Sequence, residues 1–175
     1  ENEGLARLSL RKCAERVGVS HTAPKNHFGN MVGLLTAIAT EGYADLSKKM
    51  AAQGSGDSDR NQRRENALIG YIDFAERNPA LYDLMFSRDR LVNDDPDLMR
   101  EVGACFVILS DISVDLGWHA GTVDVKTSKG QVALWSFAHG YAQLVTEGRF
   151  KKDNIKDLSI LDILPTIGHD KIGRA

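Results

Sequence analysis

A chain of 175 residues with 42% apolar and 26% charged side chains and a net charge of −2 has the composition of an ordinary soluble globular protein of one or two domains, with enough apolar mass for a real core. No apolar run approaches the roughly 20 residues of a membrane span and nothing resembles a signal peptide, which excludes a membrane protein. Pro is scarce, and no segment sustains the period-two alternation of a half-buried strand, so the chain reads as all α.

Glu1 to Arg7 reads as the tail of a helix and its loop. Ser9 then offers a hydroxyl to the first N–H groups of a helix on which Leu10, Ala14 and Val17 share one face. Gly18 ends it, and Val19 is expected to plug the angle before a second helix that Ser20 caps and that runs to about Phe28. Two short helices around a tight glycine turn fit a helix-turn-helix, whose second member reads the DNA major groove. The spacing alone fits a helical hairpin in a bundle as well. With Val19 and Phe28 inward, His21, Thr22, Lys25 and Asn26 face outward, where donors, acceptors and one fixed charge can meet base edges and phosphates. Pro24 falls near the first turn, where few backbone donors are needed.

Residues 1–50 hold seven Lys/Arg against five Asp/Glu, and the remainder fifteen against nineteen. So weak a positive bias makes DNA binding depend on a few good phosphate contacts, with Arg7, Arg11, Lys12, Arg16 and Lys25 as candidates, and on dimerisation rather than on bulk charge. A solvated face is the plain alternative for each of them.

After a Gly29–Asn30 turn, Leu34, Leu35, Ile38, Ala39, Gly42, Tyr43, Leu46 and Met50 recur at helical spacing, predicting a long connecting helix. The run 54–59, all Gly, Ser and Asp, is the most loop-like in the chain. Five more helices follow: Arg60 to Arg77, one opened by Pro79, Asp94 to Leu116 with Asp95 and Asp97 at its dipole-positive end and Gly117 after it, Ser128 to Gly148, and Leu158 to about Ile167. The fourth of these is apolar on more than one side, through Val132, Leu134, Trp135, Phe137, Tyr141, Leu144 and Val145, and needs a partner beyond its own core; a second subunit is the simplest.

Phe74, Tyr82, Met85, Phe86 and Phe106 are candidates to line an apolar effector cavity. Trp135 and His139 lie one helical turn apart, close enough for indole and imidazole to stack, and Gly140 would let another helix approach. His139 either lines the cavity or is a core histidine bonded to a neighbouring helix. Cys13 and Cys105 sit among apolar neighbours and read as reduced thiols of a cytoplasmic protein rather than a disulfide. Catalysis is not expected. Cys105 and His139 lack an orienting third residue, His119, His139 and His169 have no metal-ligand spacing, and no strand precedes a glycine-rich phosphate loop. No cofactor is expected.

The run LSLRKCAERVGVSHTAPKNHFGNMVGLLTAIA resembles the DNA-binding domain of the tetracycline-repressor (TetR) family, through Leu8 and Leu10 around Ser9, Ala14, Gly18-Val19-Ser20, His27-Phe28 and Leu34-Leu35. FAERNPALYDLMF and Trp135-x-x-x-His139-Gly140 are similar to the WHG-type subgroup. Two positions depart: Lys25 stands where the family usually has Tyr, and Met31 where it usually has Lys, both common phosphate contacts. The resemblance implies an all-α fold with an N-terminal helix-turn-helix domain, residues 1–48 with its first helix largely missing, and a C-terminal effector-binding and dimerisation bundle, residues 49–175. It implies operator contacts from Ser9, Arg11, Ser20, His21, Thr22, Lys25, Asn26 and His27. A small, largely apolar effector would lie among Phe74, Tyr82, Met85, Phe86, Phe106, Trp135 and His139, and a homodimer would form through the last two helices.

Overall fold

A computed structural model describes residues 9–52, 60–113, 129–151 and 158–168. Among them are eight α-helices and no strand: α1 Leu10–Val17, α2 Ala23–Phe28, α3 Met31–Ala51, α4 Arg60–Arg77, α5 Pro79–Phe86, α6 Pro96–Ser113, α7 Lys129–Thr146 and α8 Ile160–Gly168. Short 3-10 turns at Arg88–Arg90 and Arg149–Lys151 follow α5 and α7. Arg7, the loop at 54–59, Leu116, Gly117, His119, Ser128 and His169 lie outside the described residues.

Helix ends follow local chemistry. The Ser9 hydroxyl accepts the Lys12 N–H at 3.2 Å. Gly18, at φ 70°, closes α1 while Val19 N–H reaches the Ala14 carbonyl at 3.0 Å, satisfying carbonyls that the helix end would otherwise orphan. Asn30 caps α3 by accepting the Gly33 N–H at 3.0 Å. Asp95, expected inside its helix, instead caps it: Oδ1 accepts the N–H groups of Asp97 and Leu98, each at 3.0 Å, and Pro96 takes the first helical position, where no donor is missed. α8 begins two residues later than expected because Ser159 and Asp162 form a reciprocal box. The Ser159 hydroxyl accepts the Asp162 N–H, and the Asp162 carboxylate accepts the Ser159 N–H at 2.7 Å.

The core sits where α3 crosses α4, α5 and α6, with α7 closing it over α4 and α6. On α3 the buried stripe is Leu35, Ala39, Gly42, Leu46 and Met50, whereas Ile38 faces out. Across it lie Leu68, Phe74, Tyr82, Leu84, Met85, Leu98, Ile112 and Leu134. Gly70 sets the α3–α4 distance: a Cβ there would lie 2.4 Å from the Lys49 carbonyl oxygen. Ion pairs Lys49–Asp73 (3.0 Å) and Arg63–Asp111 (3.2 Å) join neighbouring helices at the rim. Buried Gln131 donates from Nε2 to the Phe106 carbonyl at 3.0 Å, fixing α7 on α6.

Candidate DNA-reading head and effector cavity

α1 and α2 pack on each other, and α2 packs on the start of α3. Gly33 permits that joint, since a Cβ there would fall 2.1 Å from the Phe28 carbonyl oxygen. Two expectations for the head need correction. α2 is helical only from Ala23, because Ser20 to Thr22 form a turn: the Ser20 carbonyl accepts the Ala23 N–H at 3.0 Å, and its hydroxyl lies 2.9 Å from the Thr22 hydroxyl and accepts the Thr22 N–H at 3.4 Å. Val19 is no plug; it is 46% exposed and Val17 70% exposed. The inward residues are Ala14, fully buried, and Pro24, whose ring is the buried element of α2. Together with Cys13, Phe28 and Leu34 these valines line an apolar cleft of about 320 Å³.

The expected reading edge is outward. Ser20, His21, Thr22, Lys25, Asn26 and His27 are all exposed. Lys25 forms no ion pair among the described residues, whereas Arg11 is paired with Glu15 at 3.1 Å, and the Ser9 oxygen is spent on its cap. His27 stands edge-on to Phe28 at 4.5 Å and also lines a polar cleft between head and body with Glu41, Asp95, Asp97 and Arg100. Met31 is half-buried and packs against the core.

In the body, a cavity of about 260 Å³ lies against the connecting helix α3. Of the seven effector candidates, Met85, Phe86, Phe106 and Trp135 line it; Phe74, Tyr82 and His139 do not. Phe74 is plain core, 1% exposed. Tyr82 and His139 belong to a polar network behind the wall. Tyr82 Oη is 2.7 Å from His139 Nδ1 and 3.0 Å from Tyr71 Oη, and Tyr71 Oη is 3.2 Å from the same nitrogen. Burial holds the His139 pKa below its ordinary value and pushes Tyr82 up to about 12, so the network is uncharged at neutral pH. The Trp135 indole is tilted and 6.3 Å from His139 rather than stacked on it. Tyr71 is the link: it lines the cavity and bonds to the network. Sequence reasoning passed over it, together with Tyr43, Met50, Arg88, Asn93 and Cys105 of the lining. Tyr43 Oη donates to the Met85 carbonyl at 2.9 Å, and Cys105 Sγ to the Tyr43 carbonyl at 3.5 Å.

The family model for the tetracyclin repressor-like C-terminal domain matches residues 65–161, from early in α4 to the start of α8. The chain belongs to the tetracycline-repressor family. Nucleoid occlusion factor SlmA of two Aliivibrio fischeri strains, MJ11 and ATCC 700601 / ES114, is 33% identical over 100 residues, 51% of this chain and 49% of each relative. The chain thus spans about half the length of the curated relatives it matches. Two solved structures share the fold of this TetR-family chain. One is a protein of unknown function from Rhodococcus sp. RHA1, with TM-score 0.73 at 22% identity over 95% of this chain and 86% of that one. The other is SCO4313, assigned a regulatory role, with TM-score 0.64 at 19% identity over 95% and 85%.

Within this TetR-family body the outer face of α7 carries Val132, Ser136, Gly140 and Leu144 in an exposed stripe at four-residue spacing. Gly140 was expected to admit a neighbouring helix, yet a Cβ there would meet nothing within its own subunit. A second, larger cleft of about 520 Å³ lies between α4, α7 and α8 and is lined by Asp73 and Glu76 as well as apolar groups. None of the effector candidates lines it. No helix among the described residues is long and apolar enough to cross a membrane.

Proposed function

We propose that this TetR-family chain is a ligand-responsive transcriptional repressor. It binds a pseudo-palindromic operator as a homodimer and is released when a small, largely apolar molecule enters the body cavity. The observation that carries the reading is a polar, exposed edge, His21, Thr22, Lys25 and Asn26, joined by one unbroken helix to an apolar cavity. Residues 1–48 act as the reading domain and 49–175 as the effector and dimerisation domain, with the far end of α3 built into the latter. The exposed α7 stripe supports a dimer through α7 and α8, because small residues in open space let a second copy pack closely. A dimer sets two heads on one side of the duplex, and a rigid α3 turns a small displacement at the cavity into a changed half-site spacing. Selecting duplexes from a random library with the full chain and footprinting the winners tests this. Two inverted half-sites about one helical turn apart support it, and enrichment of no sequence contradicts it.

A second reading rests on Lys25 and Met31, which stand where the family usually has Tyr and Lys. The fold then serves as a ligand-binding or protein-interaction module with weak operator binding, and the SlmA relatives do carry the name nucleoid occlusion factor rather than repressor. The paired exchange Lys25→Tyr and Met31→Lys separates the two. A large gain in DNA affinity favours the module, and unchanged tight binding means that Lys25 already grips phosphate.

A further inference from the structure

We propose that the body cavity takes a small carboxylate with an apolar body, its charged end at the mouth against Arg88 and its hydrocarbon among Leu46, Met50, Phe106 and Trp135. This rests on the reading of the cavity as the effector site.

The lining is apolar apart from a few groups, and most of those have spent their donors inside the protein. Tyr43 donates to the Met85 carbonyl, Cys105 to the Tyr43 carbonyl, and Tyr71 is engaged by Tyr82 and His139. The Asn93 amide donates to the Arg88 and Leu91 carbonyls, at 2.7 and 3.3 Å. Two donors on the lining have no partner among the described residues: the Arg88 guanidinium and the Trp135 indole N–H. Among the described residues, Arg88 is the one charged side chain of the lining. Burial, and next the charge of Glu101, push the Cys105 pKa up to about 12, and burial raises that of Tyr43, so both lining groups stay neutral; Glu101, outside the lining, is paired with Arg100 at 3.0 Å. A ligand here meets a positive charge at Arg88 and a mostly apolar wall elsewhere, which fits an anion with an apolar body and disfavours a cation.

Size narrows the class. A cavity of about 260 Å³ lies just below the ~300–1,000 Å³ of small-molecule sites, which favours a small ligand. An eight-carbon carboxylate, with about ten non-hydrogen atoms, belongs to that small class.

The test is calorimetric titration of the full chain with sodium octanoate, 1-octanol and octylamine, on the natural protein, Arg88→Gln and the cavity-filling Val102→Phe. Arg88 is exposed, so its replacement leaves the core intact. The expected result is that octanoate affinity falls about fivefold in Arg88→Gln, the size of a good solvent-accessible ion pair, that octanol affinity does not change, and that octylamine is the weakest ligand of the natural protein. All three should be lost in Val102→Phe. If octanoate is indifferent to Arg88→Gln while Val102→Phe still abolishes binding, the carboxylate proposal is overturned and the effector cavity stands. Binding that survives Val102→Phe, or no binding by any of the three, overturns both.

Discussion

Thr36 Oγ1 accepts the Val92 N–H at 3.0 Å while donating its own proton to the Val32 carbonyl at 2.8 Å. Thr36 is buried in the head-proximal half of α3, and Val92 sits in the segment whose neighbours Arg88, Leu91 and Asn93 line the cavity. One hydroxyl therefore ties a wall segment of the cavity to the helix that leads to the head.

Thr36→Val keeps the shape and removes the tie. Val92 is partly exposed, so losing the acceptor of its N–H should cost about 0.5–1.5 kcal/mol, seen as a lower urea midpoint. The diagnostic effect is on coupling: the ratio of operator affinities without and with ligand should shrink while ligand affinity itself changes little. Thr36→Ser, which retains the oxygen, should restore the ratio. Anisotropy titrations with and without ligand read this directly.

The Tyr71–Tyr82–His139 network gives stability a pH dependence of known sign. Burial lowers the folded-state pKa of His139 below its ordinary 6.5. The unfolded chain therefore binds the extra proton first as pH falls. This contribution is fully present above about 6.5 and is lost as pH drops through the lower folded value. Protonation would also put a proton on both ring nitrogens, so that Nδ1, 2.7 Å from Tyr82 Oη, could only donate. Urea unfolding between pH 8 and 5 should show the decline, and His139→Gln should flatten it. Asp73 and Glu147, whose ion-paired and hydrogen-bonded carboxyls titrate below their ordinary range, lose their share only at more acid pH.

Gly70→Ala sets a Cβ 2.4 Å from a backbone oxygen of α3, so the helices must part rather than a side chain turn. Overpacking of this kind costs about 1–3 kcal/mol against a helix-propensity gain of at most about 1 kcal/mol. Gly103→Ala, with open space around it, should be neutral or stabilising. Thermal melts of the two variants should move in opposite directions, or only the first should move.

Much of the scaffold was legible because its punctuation is local. Ser9, Gly18, Pro79 and the long stripe of α3 act on neighbours within a turn or two, and their helices fall within a few residues of where the spacing puts them. The same holds for four cavity residues, which are large, apolar and at core spacing. What stayed hidden depends on distance in sequence. Tyr71 reads as one more apolar-side aromatic, and nothing nearby announces that its hydroxyl meets groups 11 and 68 residues away. Thr36 did leave a signal, a hydroxyl inside the buried stripe of a helix. Val19 misled because its apolar character says that it wants cover, not which element supplies it.

Lys25 is exposed and forms no ion pair among the described residues, so its charge is available to a phosphate. Lys25→Ala should weaken binding of all duplexes alike and lower the slope of log affinity against log salt by about one per subunit. Asn26→Ala and Thr22→Ala should instead relax sequence preference while leaving the slope in place.

The most direct measurement is the affinity of the full chain for its selected duplex and for a scrambled duplex of the same length, by anisotropy across a salt series, with and without octanoate. The account predicts that the selected duplex is preferred at every salt concentration, that affinity falls linearly on the log–log plot, and that ligand lowers it. Equal binding of the two duplexes across the series, or none, would contradict it.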